Sequence, residues 1–258
     1  MASRPFTQSQ IEEKLAGENL DEWLSLWWVS QGGEPRNRRL KLIAEMLPFA
    51  IENEIAVLDM CCGPGDLGRF VRERFPRARI DCVDRDPFLL ALCTALNRRK
   101  GIPGDTFVRD MWNTNWSAEI SGDYDAIVAS TALHWFDERR LGELFVDVFG
   151  LLKRGGVFLF AEPACAQEPF ATAFSEWKAK QAEAYDPATW DHFWARANAL
   201  LGYEHREVLG CRPAGRDEIG DRGIPVPEYV GLLEKAGFEA IDILLRDAEK
   251  VVLASLKP

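Results

Sequence analysis

The strongest local signal in this chain of 258 residues is Ile55-Ala56-Val57-Leu58-Asp59-Met60-Cys61-Cys62-Gly63-Pro64-Gly65-Asp66-Leu67-Gly68. Ile55 to Met60 is a short apolar run, the composition of a parallel strand buried on both faces. The glycine-bearing turn behind it leads into a helical pattern, Leu67 to Phe75. Glycine lacks a Cβ, so such a turn can be tight and a ligand can approach its backbone. The spacing Gly63-x-Gly65-x-x-Gly68 also satisfies the dinucleotide fingerprint. An NAD enzyme therefore stays open at this point.

Outward from that stretch the chain alternates. Arg79 to Asp84, Asp105 to Asp110, Tyr124 to Ser130 and Val157 to Ala161 read as further strands, and Pro87 to Arg99 and Glu138 to Leu152 as helices. This alternation predicts an α/β fold, a Rossmann-like doubly wound sheet of seven strands covered by helices on both faces. Phe238 to Leu245 and Lys250 to Leu256 are joined by a short turn and close the sheet as an antiparallel hairpin. A helix over Pro227 to Ala236 precedes them. Upstream, residues 10–30 read as one Trp-rich helix, Gly32-Gly33-Glu34-Pro35 as a break, and Leu40, Ile43, Ala44 and Leu47 as the face of a second helix ended by Pro48. The domain reading is an N-terminal helical lid (1–50), a core (51–164 and 225–258), and a helical insertion after strand five (165–224) that caps the acceptor site. The insertion begins with a helix over 168–184.

In an open parallel sheet, ligands bind outside the carboxyl ends of the strands, near the point where strand order reverses. Asp59, Asp84 and Asp110 stand at three of these four strand ends, and Ser130 at the fourth. One such aspartate is commonly a turn or cap residue. Three on successive strands form a nucleoside site. Asp84 would accept from both ribose hydroxyls, and Asp110 from an adenine amine.

Net charge is −10. That weighs against nucleic acid, whose binding is driven by Lys and Arg on phosphates. Arg36, Arg38, Arg39 and Lys41 form the best basic cluster and read as a solvated helix face. The six cysteines match no zinc spacing, so no metal is expected. With no secretory leader evident, reduced thiols and a cytoplasmic protein are the expectation. No apolar run approaches the roughly 20 residues that span a membrane.

The motifs together resemble class I S-adenosylmethionine-dependent methyltransferases of small-molecule type. Val57 to Gly65 resembles the first motif, Val83-Asp84-Arg85-Asp86-Pro87 the ribose-binding end of strand two, and Val108-Arg109-Asp110-Met111 the adenine-side motif. Tyr124 to Val128 with Ala132-Leu133-His134-Trp135, Leu151 to Val157, and Glu234 to Phe238 resemble later family segments. The resemblance implies S-adenosylmethionine as cofactor, contacted by Asp59, Cys61, Gly63, Gly65, Asp84, Arg85, Asp110, Met111 and Ser130. One departure stands out, since the family's first motif glycine is Cys61 here. The acidic residue before the loop and the closing hairpin favour this family over NAD dehydrogenases.

The expected reaction is methylation of a small, apolar or anionic acceptor, with His134 as catalytic base where the acceptor must lose a proton. His192 lies in the insertion and could face the substrate, while His205, flanked by charges, is expected at the surface. Tryptophans number nine. Trp23, Trp27 and Trp28, with Trp177, Trp190 and Trp194, could fold over the strand ends. Methylation of RNA or protein is the alternative, and an Asn/Asp-Pro-Pro-Tyr motif of amino-methylating enzymes is absent at Ser130-Thr131-Ala132-Leu133. A cofactor-binding protein without turnover is another alternative.

Overall fold

The computed structural model describes residues 6–167, 169–181, 188–209, 223–247 and 249–258. Cys211 and the remainder of the insertion lie outside them, as does the side chain of Trp177. Seven strands form one sheet, β1 (Ala56–Met60), β2 (Arg79–Asp84), β3 (Thr106–Val108), β4 (Tyr124–Ser130), β5 (Leu152–Pro163), β6 (Glu239–Asp247) and β7 (Lys250–Leu256). Their order is β3-β2-β1-β4-β5-β7-β6. Neighbours are parallel from β3 to β5, and β7 runs antiparallel to both β5 and β6. The expected architecture is present, with the order reversing between β1 and β4. The carboxyl ends of these two strands therefore flank the crevice.

The sheet's two faces carry separate cores. On one, α6 (Glu138–Leu151) and α10 (Val226–Ala236) bring Leu144, Phe145, Tyr229 and Leu233 onto Leu58, Ile127 and Phe158. On the other, α3 (Gly33–Glu45), α4 (Asp66–Arg74) and α5 (Pro87–Lys100) cover Val57, Ile80, Val128 and Leu159. A third core sits outside α5. There α1 (Gln8–Leu15) and α2 (Leu20–Ser30) meet α8 (Ala188–Leu201), packing Ile11, Trp23 and Trp27 against Phe88, Phe193 and Trp194.

Local chemistry sets the helix ends. Asp86 caps α5 by accepting from Phe88 and Leu89, Pro87 occupies the first turn, and Gly101 ends the helix in the left-handed region. The N-terminal segment is two helices, since Asn19 caps α2 by accepting from Asp21 N–H. Gly32 supplies the expected break, yet Glu34 and Pro35 already belong to the first turn of α3, where a proline lacks nothing. β5 starts at Leu152, straight off α6, and β3 keeps only three residues of the expected six. The insertion contains α7 (Phe170–Gln181), α8 and the short α9 (His205–Val208).

The expectation of a solvated basic face on α3 is half overturned. Arg38 and Lys41 are exposed, whereas Arg36 and Arg39 are buried at the carboxyl edge of the sheet. They lie on the face that turns toward α4 and the end of β5.

Candidate functional site

The loop from Cys61 to Gly65 leaves the end of β1 through three left-handed residues, Cys61 (φ 53°), Gly63 (φ 55°) and Gly65 (φ 80°). Gly68, one turn into α4, lets that helix close on the sheet. A Cβ there would sit 2.7 Å from Ile80 Cγ2 and 3.1 Å from Asp59 Oδ2. Asp59 Oδ2 accepts from Gly68 N–H at 2.8 Å. The Asp59 side chain thus turns under the loop and holds the start of α4. Burial pushes its carboxyl well up, partly offset by that N–H.

Asp84, at the tip of β2, bonds to the loop as well. Its Oδ2 accepts from Gly63 N–H at 2.8 Å and its Oδ1 from Asp86 N–H at 2.9 Å. The Arg85 N–H bonds the same carboxylate, so three backbone donors hold it in place. Burial raises its pKa to about 6. Arg85 turns outward to the Leu209 carbonyl at 2.7 Å, which joins β2 to the insertion.

At the end of β3, Asp110 Oδ1 accepts from Trp112 N–H and Met111 is buried. Met111 Sδ lies 3.4 Å from Cys61 Sγ, so the first and third strand ends touch. Arg140, which sequence reasoning passed over, anchors this turn from α6. Its guanidinium donates to the carbonyls of Met111 (2.8 Å) and Asn113 (3.2 Å).

The turn after β4 holds Ser130, Thr131 and His134. Ser130 and Thr131 share a hydrogen bond of 3.1 Å, and Thr131 is left-handed at φ 58°, a rare setting for a β-branched residue. His134 Nδ1 lies 2.7 Å from Glu162 Oε2. Glu162, next to last in β5, is fully buried and also accepts from the N–H groups of Ala132 (2.6 Å) and Leu133 (2.8 Å). A carboxylate held this way fixes both the turn and the histidine ring. The one charged residue closing the apolar run Val157 to Ala161 was the available signal for Glu162.

Two histidines depart from expectation. His192 is exposed on α8. His205, expected at the surface, is 1% exposed, donates from Nε2 to Asp86 Oδ1 at 2.8 Å and stacks on Trp194. The tryptophans divide too. Trp23, Trp27 and Trp194 are buried, while Trp28 is exposed. The Trp27 ring would lie 3.1 Å from a Cβ on Gly63, and its Nε1 donates to Asp66 Oδ2 at 2.9 Å. Arg36 and Arg69 pair with the same carboxylate. Burial works against its ionisation, but these cations hold Asp66 below the usual range.

Arg36 Nε is buried with no hydrogen-bond partner. Arg39 makes no hydrogen bond or ion pair with the described residues, and burial lowers its pKa, with Asp247, Arg36 and Glu162 the charges that reach it. Among the described residues, then, two guanidiniums at the carboxyl edge keep unused donors.

The interposed antiparallel β7 and the loop's carboxylate contacts define the fold of class I S-adenosylmethionine-dependent methyltransferases. Residues 57–156 match the methyltransferase domain family. Over 151 residues the chain is 28% identical to trans-aconitate 2-methyltransferase of Escherichia coli (strain IAI39), covering 58% of this chain. The chain spans about half the length (54%) of that relative. Two solved structures share the fold. An O-methyltransferase family 2 protein from Planctomyces limnophilus in complex with apigenin has a TM-score of 0.58 at 19% identity, over 96% of this chain and 64% of its own. Human N-acetylserotonin methyltransferase in complex with S-adenosylmethionine has a TM-score of 0.55 at 13% identity, over 93% and 56%. No helix among the described residues is long and apolar enough to cross a membrane.

Proposed function

We propose that the protein methylates a carboxylate oxygen of a small organic acid, with S-adenosylmethionine as donor. The observation that carries the acceptor class is Arg39, a largely buried cation that makes no ion pair among the described residues and lies within electrostatic reach of Glu162 near the end of β5. Burying an unpaired charge is costly, and an anionic ligand offsets that cost. The relative that acts on trans-aconitate, itself a carboxylate, supports the same reading.

S-adenosylmethionine supplies a methyl group on a positively charged sulfur, a good leaving group. Asp84 would hold the ribose hydroxyls, the Asp110–Met111 turn the adenine, and the Cys61–Gly65 backbone the methionine portion. Arg85 and Ser130 would border the site, and Asp59 would act through Gly68. A carboxylate oxygen is already an anion, so no group need take its proton. His134, fixed by Glu162, would then orient the acceptor and not deprotonate it. The domain roles follow, with 1–50 as lid, 165–224 as acceptor cap, and 51–164 with 225–258 as the cofactor-binding core. The net charge of −10 supports a small-molecule acceptor over RNA.

Calorimetry with S-adenosylmethionine, S-adenosylhomocysteine and NAD tests the cofactor. The expected result is binding of both adenosyl ligands and none of NAD; the reverse overturns the reading. A panel of mono-, di- and tricarboxylates, trans-aconitate included, then tests the acceptor. Arg39→Met is expected to raise the acceptor KM at least tenfold, about 1.4 kcal/mol, with cofactor Kd unchanged. Unchanged KM removes Arg39 from the acceptor site. A rate that collapses in His134→Gln with cofactor binding intact points to a hydroxyl acceptor that needs a base.

A further inference from the structure

Three cysteines that the sequence keeps apart meet beneath the cofactor loop. Cys62 lies in the loop, Cys82 in β2 two residues before Asp84, and Cys93 in the second turn of α5. Their sulfur atoms all lie within 4.8 Å of one another, and none of the three residues is more than 6% exposed. The cluster touches the loop directly, since a Cβ on Gly65 would sit 2.6 Å from Cys93 Sγ.

Three thiols packed as small apolar groups would explain the burial alone. They would not explain Asn97. One turn beyond Cys93, its side-chain amide lies 3.5 Å from Cys93 Sγ and 3.8 Å from Cys82 Sγ. Amide donors directed at sulfur are the outer-shell bonds that orient and stabilise metal thiolates. The cation Arg69 stands beside the cluster, since the Cβ position on Gly65 that meets Cys93 Sγ lies 3.5 Å from Arg69 Nη1.

We propose that Cys62, Cys82 and Cys93 form a binding site for one soft, closed-shell metal ion of the zinc(II), cadmium(II) or copper(I) class. Thiolates select such ions over magnesium or calcium. With metal–sulfur bonds of about 2.3 Å, a trigonal set places its sulfurs about 4 Å apart, within the span observed. For a divalent ion three S–H bonds break and three metal–sulfur bonds form. Three protons leave, and the complex carries one negative charge beside Arg69. No electron is transferred. Affinity therefore rises with pH. The ligands come from the loop, the strand that carries Asp84, and α5, so the ion would tie these three together and fix the loop that Asp84 also holds. The site does not depend on which acceptor is methylated.

The probe is cadmium(II), followed by its sulfur-to-metal ultraviolet absorption. Copper(I) is titrated in parallel against a chromogenic chelator. Each ion is added to the reduced native protein and, because the site is sealed, also during refolding from denaturant. The expected result is one equivalent bound, release of three protons per cadmium, and at least a hundredfold weaker binding in Cys93→Ser. A Cys61→Ser/Cys165→Ser/Cys211→Ser variant keeps the metal. Circular dichroism checks that Cys93→Ser folds; if it does not, Cys82→Ala is read in its place. If both fail to fold, the intact protein decides, because bound cadmium should shield three thiols from alkylation after denaturation in its presence and digestion should identify them as 62, 82 and 93. Uptake by neither route, unaltered binding in the folded cluster variant, or loss of binding in the triple variant overturns the proposal.

Discussion

Cys61 holds a left-handed conformation, φ 53°, where the resembled family has glycine. For a residue with a Cβ that setting costs roughly 1–2 kcal/mol. Part of the gain from glycine is returned as unfolded-chain entropy. Cys61→Gly is therefore expected to stabilise the protein by about 0.5–1 kcal/mol, seen as a thermal midpoint a few degrees higher, with cofactor binding retained. A lower midpoint would mean that the Cys61–Met111 sulfur contact outweighs the strain.

Asp84 makes a prediction about pH. Burial raises its pKa to about 6, above the ordinary carboxylate value of about 4. As pH rises between those two values, the folded state retains a proton that the unfolded state has lost. Stability therefore declines across that window and levels off above pH 6. Cofactor binding is expected to run the other way, because an ionised carboxylate would be the better acceptor for ribose hydroxyls. Affinity should fall by up to about tenfold per pH unit below pH 6. Asp84→Asn should weaken binding at least tenfold at pH 8 and flatten the pH dependence, measured by calorimetry. A slope that persists in Asp84→Asn assigns the titration elsewhere.

At the scale of elements, the third core is where the N-terminal helices and the insertion meet. Phe193 is fully buried between Trp23, Trp27 and Phe88. Phe193→Ala is expected to cost about 3–5 kcal/mol. Hydrogen exchange should show protection lost first in α2 and α8, with β1, β4 and β5 still protected. Uniform loss across the sheet would mean that the third core is not a separable layer. The sequence made the sheet legible because period, composition and turn residues agree there; β4 and β7 have the expected bounds. The gap between α1 and α2 is also written in the sequence, where Gly17 and the cap Asn19 interrupt the apolar pattern, against the reading of 10–30 as one helix. His205 looked superficial between Glu204 and Arg206. Neighbouring helical side chains point in different directions, and Asp86, far away in sequence, supplied its partner. The same limit hid Glu162, Arg36, Arg39 and the thiol cluster, whose roles exist only across elements.

At the scale of the whole molecule, the reversal of strand order between β1 and β4 gathers the expected residues. Asp84, Cys61, Gly63, Gly65, Asp110 and Met111 form one linked set on the β1–β3 side. Ser130 and His134 stand on the β4–β5 side, where Glu162 secures the turn. Arg39 adds positive charge beside it, in a protein whose total is −10. Overall charge thus constrains partners of macromolecular size but says little about a pocket, where one desolvated cation outweighs many distant surface charges.

The third core also bears on how such proteins diversify. α5 has apolar residues on both its inner and outer faces, Leu90 and Cys93 toward the sheet, Phe88 and Leu92 toward α1, α2 and α8. Its outer face is therefore not a neutral surface onto which any cap can be grafted. A chimera that imports a foreign insertion after β5 but keeps the native first 30 residues would leave Trp23 and Trp27 without their counterparts. The two segments, distant in the gene, would therefore have to be exchanged as a matched pair.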